Sequence, residues 1–425
     1  MNILILGSGG REHALGKALK NSQKSGKIFF SPGNAGTLLT GSNINIDHKD
    51  YDALRLFIQK NDIGLVVIGP EAPLVDGLAD QLSSDDGLPQ LRVLGPGSKG
   101  ARLEGSKSFA KAFMKKYTIP TAAYLEIDTS NLSDGLNYID NNEGPYVLKA
   151  DGLAAGKGVL IIKDREEAKA QLKEMLDGKF GAASSKVVIE EFLDGIEFSV
   201  FALTDGNNFA LLPEAKDYKR VGENDEGPNT GGMGSVSPVP FFDEQLKQQV
   251  IDSVIQPTID GLKKENIPYT GFLFFGLILC DGQAKVIEYN CRMGDPETQV
   301  VIPRLRTDLL DLIIDSTDGK LSNKKVATED GSRVAVIAAS GGYPNDYEKG
   351  KEIFGLENLN QDNVFHAGTQ IKDGKTLTSG GRVLAISCPG KNIQEAIDNC
   401  YREMNKICFD KIYYRKDIGK DLLET

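Results

Sequence analysis

The chain has 425 residues and a net charge of −11, with 40% hydrophobic and 26% charged residues. This composition is typical of a globular protein of about three domains with enough length for a large core. The negative charge argues against a general nucleic-acid binder, because the phosphate backbone would be repelled.

The five cysteines and three histidines form no CxxC pair and no spacing typical of a zinc site. An odd, scattered set of cysteines predicts reduced thiols and therefore a cytoplasmic protein. No basic segment precedes the first apolar run, and that run is too short for a signal peptide. No apolar stretch is long enough to span a bilayer, so no membrane partner is expected.

Residues 1–105 alternate short apolar runs with helical patterns, which predicts a parallel sheet with helices on both faces. The predicted strands are 2–6, 28–30, 65–68 and 92–94, and the predicted helices include 51–60 and 74–82. Each strand is followed by a Gly- or Pro-rich loop: GSGGREH, SPGNAG, GPEAP and GPGS. In open α/β sheets the loops at the carboxyl ends of strands hold the ligand, so we expect a substrate here.

The first of these loops, at Gly7, Ser8 and Gly9, invites comparison with a dinucleotide site. The dinucleotide pattern needs Gly or Ala at position 12, where the chain has Glu12, and the second strand ends without an acid for a ribose. The loop therefore favours a smaller phosphorylated ligand at the N-terminus of the following helix. The alternative is that the glycines serve only tight turns.

A connector helix is predicted at 106–121, followed by a small α+β module at 122–193. The module has predicted strands at 123–127, 146–150, 158–163 and 187–193 and one helix at 165–176. Between two of its strands lies DGLAAGKG, residues 151–158, where the Walker A spacing fails and no helix follows. This arrangement predicts a flap whose backbone N–H groups close over phosphates together with Lys149 and Lys157. The alternative is a flexible hairpin tip.

Residues 194–325 return to longer predicted strands at 198–204, 209–213, 271–280 and 284–292. A long glycine-rich loop at 221–238 is either functional or disordered. The last hundred residues carry predicted strands at 334–338 and 383–387, a helix at 392–406 and several glycine-marked loops. Because few acids there are placed for chemistry, we interpret residues 326–425 as a cover for the site.

The segment KVIEYNCRMGDPETQ, residues 285–299, carries most of the predicted chemistry. Its strand should alternate between a buried apolar face and a polar face. The apolar face comprises Ile287, Tyr289 and Cys291, and the polar face comprises Glu288, Asn290 and Arg292. A carboxylate and an amide oxygen suit magnesium, which shares its shell with substrate phosphates, and a guanidinium can hold an anion in a fork. The alternative is a surface strand with a solvated charged face.

Together these stretches resemble the glycinamide ribonucleotide synthetase family, the phosphoribosylamine–glycine ligases, which are ATP-grasp enzymes of purine biosynthesis. The resemblance covers essentially the whole chain in order and rests on motifs that include GSGGREHAL, SPGNAGT, GPEAPLVDG, LEGSKSFAKAFM, KADGLAAGKGV, VIEEFLDGIEFS, DYKRVGENDEGPNTGGMG, VIEYNCRMGDPETQ, FHAGT and SGGRVL. One departure is Ser379, where many relatives have Asn.

The resemblance implies a multidomain α/β and α+β fold with an N-terminal parallel α/β domain, an ATP-grasp core of two α+β modules and a C-terminal mixed α/β cover. We place the boundaries at 1–105 for the first domain, 106–121 with 194–325 for the main module, 122–193 for the flap module and 326–425 for the cover. A monomer or weak dimer is expected.

The resemblance also implies roles for single residues. ATP phosphates contact Lys107, Lys149 and Lys157. The adenine is lined, mainly by backbone, by Glu190, Glu191, Phe192 and Leu193, and its ribose is bound by Glu197. Glu288 and Asn290 hold Mg²⁺ or Mn²⁺. Phosphoribosylamine and glycine are held at Gly9, Asn34, Glu71, Asp217, Arg292 and Gly294, and Arg292 and Lys157 act in catalysis.

The implied reaction activates the glycine carboxylate with the γ-phosphoryl group of ATP and then couples it to phosphoribosylamine. Such phosphoryl transfer needs positioning and charge neutralisation more than a protein nucleophile, which agrees with the lack of a Ser-His-Asp or Cys-His pattern. Two rivals stay open: another ATP-grasp ligase or a carboxylase acting on bicarbonate, and a nucleotide-binding regulator that has lost turnover.

Overall fold

The computed structural model describes residues 1–154, 158–322 and 324–423. The N-terminal part is a five-stranded parallel sheet in the order β3-β2-β1-β4-β5. Its strands are β1 (Asn2–Gly7), β2 (Ile28–Pro32), β3 (Ser42–Asn43), β4 (Ile63–Ile68) and β5 (Arg92–Leu94). The parallel sheet predicted from the alternating pattern is therefore confirmed.

Seven helices belong to this part and to the connector that leaves it. They are α1 (Gly10–Lys20), α2 (Thr37–Thr40), α3 (Tyr51–Lys60), α4 (Glu71–Val75), α5 (Leu78–Ser83), α6 (Ser98–Gly105) and α7 (Lys107–Lys116). The single helix predicted at 74–82 is wrong, because Gly77 adopts a left-handed backbone with φ of +83° that ends α4 and begins α5.

A small module of four antiparallel strands follows, in the order β6-β9-β7-β8. Its elements are β6 (Tyr124–Ile127), α8 (Leu132–Asn141), β7 (Tyr146–Ala150), β8 (Val159–Ile162), α9 (Arg165–Glu174) and β9 (Val187–Glu190). The prediction of one helix here missed α8, whose sequence contains Gly135. That glycine lies against the side chains of Leu172 and Ile127, where a Cβ would approach to 2.9–3.0 Å, so it allows α8 to pack closely.

The remaining chain forms a nine-stranded sheet along the path β14-β13-β10-β11-β12-β15-β19-β16, with β20 paired to β15. Its first five strands in sequence are β10 (Ile196–Thr204), β11 (Phe209–Asp217), β12 (Gly234–Ser237), β13 (Gly271–Cys280) and β14 (Gln283–Asn290). Its last four are β15 (Ser332–Ser340), β16 (Val364–His366), β19 (Arg382–Gly390) and β20 (Ile412–Tyr413). A separate hairpin joins β17 (Thr369–Lys372) to β18 (Lys375–Thr378).

The helices of this region are α10 (Glu244–Val250), α11 (Gln256–Lys264), α12 (Thr298–Val301), α13 (Leu309–Thr317) and α14 (Ile393–Met404). The short strand β12 lies inside the loop predicted at 221–238 and pairs with β11 on one side and β15 on the other. Because of β12, one hydrogen-bonded sheet runs from β14 to β16. Within the described residues, no helix combines the length and hydropathy that crossing a bilayer requires.

Candidate active site

The strand β14 presents a polar face, and a β-bulge in the strand shifts the alternation between its two faces. Glu288 pairs with Gly276 and Val286 pairs with the next residue of β13, so Ile287 is the extra residue of the bulge. Val286 therefore shares the buried face with Tyr289 and Cys291, while the prediction that Ile287 belongs to that face is wrong. Glu288, Asn290 and Arg292 point to the other side, as predicted, and are half-buried.

Four cations surround the carboxylate of Glu288. Burial raises the pKa of this group, but the charges of Lys219, Lys149, Lys107 and Arg292 together hold the pKa below its ordinary value. An ionised carboxylate beside the amide of Asn290 fits a hard divalent cation. No group of three or more His, Cys, Asp or Glu in the described ranges could hold a metal ion. The rest of such a cation's shell would come from water and from phosphate oxygens of a ligand.

A buried ion-pair triad joins α7 to the small module and forms a wall of the site. Lys149 and Lys111 both contact Oε2 of Glu190, at 2.9 Å and 3.0 Å, and these three side chains are 2–6% exposed. The carboxylate of Glu190 is therefore committed to two lysines, of which Lys111 was not predicted. Burial lowers the pKa of Lys111 to about 8, although Glu190 raises it.

The other predicted nucleotide contacts lie around this triad. Lys107 is the first residue of α7, and its backbone N–H donates to the carbonyl of Asp151 at the base of the predicted flap. Glu191 exchanges two hydrogen bonds with Ala123, and Phe192 is 39% exposed. Glu197 forms an ion pair of 2.8 Å with Lys219. Leu193 is half-buried. Lys157 lies outside the described residues.

Arg292 links the metal strand to the N-terminal sheet. Its guanidinium Nη2 donates to Glu104 at 2.6 Å, and its Nε lies 3.6 Å from a carboxylate oxygen of Glu71 at the start of α4. Glu104 also accepts the backbone N–H of Cys291. The structure thus brings together Arg292 and Glu71, as predicted, and adds Glu104, which no local pattern could have identified because it lies 188 residues away in the chain.

Two further acids lie near each other at this end of β14, and one of them, Glu297, also lies near Arg292. Asp217, which was predicted, ends β11, and Glu297, which was not, follows the turn at Gly294. A Cβ on Gly294 would lie 2.4 Å from Oε2 of Glu297, so the glycine gives this carboxyl group its space. Burial and then Asp217 raise the pKa of Glu297 to about 8, and burial raises the pKa of Asp217.

The glycines of the first loop make room for the turn that follows β14. A Cβ on Gly9 would lie 2.9 Å from a carboxylate oxygen of Asp295, and one on Gly10 would lie 2.4 Å from the amide of Gln299. Glu12 accepts the backbone N–H of Gly9 at 2.6 Å, and Asp295 accepts that of Arg11 at 3.2 Å. Carboxylates of the protein therefore occupy part of the N-terminus of α1, where a phosphorylated ligand was predicted.

A cavity of about 340 Å³ opens next to this helix terminus. Residues of the N-terminal sheet and of the predicted cover line it together: Ser8, Gly9, Gly33, Asn34, Asp295, Tyr343, Ala367, Gly368, Thr369, Ser379, Gly380 and Arg382. Arg382 donates to the carbonyls of Gly231 and Asp295, which ties the loop at 221–238 to the cavity wall. The backbone N–H of Ser379 donates to Gly368.

The side chain of Asn34 fixes the positions of several backbone segments around this cavity. Its amide nitrogen donates to the carbonyls of Ser8 at 2.8 Å and His366 at 2.7 Å, and its oxygen accepts from the backbone of Gly36 and Thr37. All of its donors and its acceptor are therefore used within the protein. The backbone N–H of Asn34 donates to Oγ1 of Thr37, and its carbonyl accepts from Thr37 and Asn43, so the backbone is also used within the protein and leaves no free group for the predicted substrate contact.

Replacing Asn34 with alanine should lower the free energy of unfolding by about 2–4 kcal/mol, because several buried groups lose their partners together. Chemical denaturation followed by fluorescence measures the change. Asn141→Ala is the matched control, since that amide is exposed and bonds only within its own helix. If Asn34→Ala lowered the free energy of unfolding no more than Asn141→Ala does, this structural role would be contradicted.

Family models match almost the whole chain. The phosphoribosylglycinamide synthetase N domain matches residues 1–104, its ATP-grasp (A) domain matches 105–298 and its C domain matches 333–421. The phosphoribosylamine–glycine ligase of Caldanaerobacter subterraneus subsp. tengcongensis is 45% identical over 420 residues, or 99% of both chains. That of Pasteurella multocida is 45% identical over 424 residues, covering 99% of this chain and 97% of its own.

The fold is also similar to that of a solved relative. The crystal structure of phosphoribosylamine–glycine ligase from Thermotoga maritima matches with a TM-score of 0.86 and 38% identity, over 98% of this chain and 100% of its own.

Proposed function

The chain belongs to the phosphoribosylglycinamide synthetase family, and we infer that it joins glycine to phosphoribosylamine at the expense of ATP. The products are glycinamide ribonucleotide, ADP and phosphate, in purine biosynthesis. The observation that carries this function is the match at 45% identity along the full chain. The half-buried row of Glu288, Asn290 and Arg292 gives that reaction a suitable site.

The enzyme uses ATP with a divalent metal ion, and we propose Mg²⁺ or Mn²⁺ held by Glu288 and Asn290. Both residues offer oxygen ligands, and the carboxylate of Glu288 is kept ionised by four cations. When bound, such an ion neutralises phosphate charge and favours in-line transfer of the γ-phosphoryl group. Two protein ligands leave coordination positions for the triphosphate.

The nucleotide lies, in this proposal, between the small module and β14. Lys107, Lys149 and Lys157 bind its phosphates, and Glu190 to Leu193 line its adenine through their backbone. In support, the triad of Glu190 with Lys149 and Lys111 holds Lys149 toward β14, where its Nζ lies 3.4 Å from the carbonyl of Ile287. Glu197, whose partner is Lys219, binds the ribose.

Phosphoribosylamine occupies the cavity at Gly9 and Asn34, whose volume of about 340 Å³ suits a small sugar phosphate. Glycine lies near Glu71, Asp217 and Gly294, with Arg292 beside its carboxylate. Transfer of the γ-phosphoryl group to that carboxylate gives glycyl phosphate, and Arg292 stabilises the charge that develops there. The amine of phosphoribosylamine then attacks the carbonyl and displaces phosphate. Because water would hydrolyse glycyl phosphate, we propose that the flap closes before transfer.

We further propose that the enzyme works in the cytoplasm as a monomer or weak dimer. All five cysteines are free thiols, which suits a reducing compartment.

Release of ADP by the purified enzyme tests the function. We expect release that requires both glycine and freshly prepared phosphoribosylamine, with glycinamide ribonucleotide identified by mass spectrometry. Bicarbonate in place of glycine tests the carboxylase alternative and should give no ADP. ADP release with bicarbonate, or nucleotide binding without turnover when both substrates are present, would contradict the proposal.

A further inference from the structure

The C-terminal segment, residues 413–421, packs against the loop that follows β11, and a buried arginine lies at the centre of this contact. Arg415 is 1% exposed. Its Nε and Nη2 donate to the two carboxylate oxygens of Asp417 at 2.8 and 2.7 Å, and its Nη1 donates to Asp225 in the loop at 2.7 Å. The same Nη1 donates to the carbonyl of Arg220 at 3.1 Å. The guanidinium therefore joins two parts of the chain 190 residues apart through charge-assisted hydrogen bonds.

Two further contacts hold the same loop. The hydroxyl of Tyr413 donates to the carbonyl of Val221 at 2.7 Å, and Asp417 accepts the backbone N–H of Asn224 at 2.8 Å. Asn224 and Asp225 have left-handed backbones, with φ of +57° and +54°, a conformation that residues other than glycine adopt uncommonly. The C-terminal segment thus bonds both left-handed residues of this turn.

The side chain of Tyr218 extends the contact to the start of the loop. It is 3% exposed, and its hydroxyl donates to Asp421 at 2.5 Å and accepts the backbone N–H of Gly419 at 3.0 Å. The guanidinium carbon of Arg415 lies 5.2 Å from the centre of the ring, within the range of a cation–π contact. The C-terminal segment therefore bonds the residue before Lys219 as well as the residues after it.

Lys219 itself lies in the candidate site. Its ammonium group forms an ion pair of 2.8 Å with Glu197, and its charge is one of the four that act on Glu288. Its carbonyl accepts from the backbone N–H of Thr230 at 2.7 Å and from the hydroxyl of the same residue at 2.8 Å. Two adjacent side chains thus have different partners, since Tyr218 contacts the C-terminal segment and Lys219 contacts Glu197.

We propose that the C-terminal segment, through Arg415 and Tyr218, positions Lys219 so that Glu197 is oriented for the nucleotide. The proposal rests on the ligase function proposed above, in which Glu197 binds the ribose, and it makes Arg415 a positioning residue. The side chain of Glu197 is 44% exposed, so its ion pair with Lys219 is what orders it. A carboxylate ordered before binding costs less entropy when the ribose arrives.

The variant Arg415→Gln tests the inference, because it removes the charge and the fork but keeps a polar side chain. We expect the Kd for ADP with saturating Mg²⁺, measured by isothermal titration calorimetry, to rise by about 5- to 20-fold, and the KM for ATP to rise with it. Arg415→Lys, which keeps the charge, should give a smaller rise. A purely structural role would lower the amount of active enzyme, and therefore the apparent kcat, while the Kd and the KM stayed unchanged.

A double-variant cycle tests whether Arg415 acts through Lys219. The variant Lys219→Met lacks the ion pair with Glu197, so adding Arg415→Gln to it should change the Kd for ADP by less than about twofold. Equal rises in the two backgrounds would overturn the inference, as would a wild-type Kd for ADP in folded Arg415→Gln.

Tyr413→Phe and Tyr414→Phe form a matched pair. The first removes the hydrogen bond to Val221 in the loop, and the second removes a hydrogen bond of 3.1 Å to Asn405 outside it. We expect the Kd for ADP to rise about two- to fivefold in Tyr413→Phe and to change less than about 1.5-fold in Tyr414→Phe, and equal values would contradict the proposal. The Kd does not depend on turnover, so a wild-type enzyme without glycine-dependent ADP release would contradict the ligase function alone.

Discussion

We expect the Glu288→Gln substitution to lower kcat by about three orders of magnitude or more. The substitution keeps the volume of the side chain but removes the negative charge that faces Lys219, Lys149, Lys107 and Arg292. Without that charge the four cations repel a divalent ion, and a neutral amide is a weaker ligand. A loss of about 4 kcal/mol in transition-state stabilisation corresponds to a thousandfold fall in rate.

Steady-state kinetics over a range of Mg²⁺ concentrations measure this effect, with circular dichroism to check the fold. Glu126→Gln is the control, because Glu126 lies on β6 and pairs with Lys186 at the surface. We expect higher Mg²⁺ to restore part of the activity of Glu288→Gln. If that variant keeps more than about a tenth of wild-type turnover at ordinary Mg²⁺, the assignment of the metal to β14 is wrong.

Arg292→Lys should lower kcat/KM for glycine by about 100- to 1000-fold. Lysine keeps the positive charge but cannot reach Glu104 and Glu71 while also presenting a third donor, as the planar guanidinium does. The substrate carboxylate and the charge that develops on it therefore lose an oriented partner. An alanine variant would be less informative, since it would also leave the largely buried Glu104 without its cation.

The measurement is kcat/KM for glycine at saturating ATP, compared with Arg92→Lys. Arg92 pairs with Asp318 at the surface, so that exchange should change kcat/KM by less than about twofold. If Arg292→Lys instead raised only the KM for ATP and left kcat/KM for glycine unchanged, Arg292 would act on the nucleotide rather than on the amino acid.

Local patterns in the sequence predicted the strands and the polar face of β14 because these depend on near neighbours. Alternation identified Glu288, Asn290 and Arg292, but it could not show the bulge at Ile287, which depends on pairing with β13. The missed helix α8 has a weak local signal because Gly135 lowers its propensity, and its packing against α9 compensates.

The candidate site was predicted less completely, since many of its contacts join distant parts of the chain. Glu104 and Arg292 are 188 residues apart, and Asn34 and His366 are 332 apart. Glu297 sits in the quoted segment 285–299, yet nothing in its neighbours shows that it would be buried. Such pairings follow from tertiary packing, which one sequence without relatives does not reveal.

The short strand β12 limits where the chain could be cut into independently folding fragments. It bonds to β11 through two residue pairs and to β15 through four. Along the described path, β12 is therefore the only strand that connects the part of the sheet from β14 to β11 with the part from β15 to β16. A fragment that stopped before β15 would present β12 as an open edge next to uncovered apolar side chains such as Val236. We expect such a fragment to self-associate through that open edge, because the C-terminal region shares one sheet with the rest of the chain.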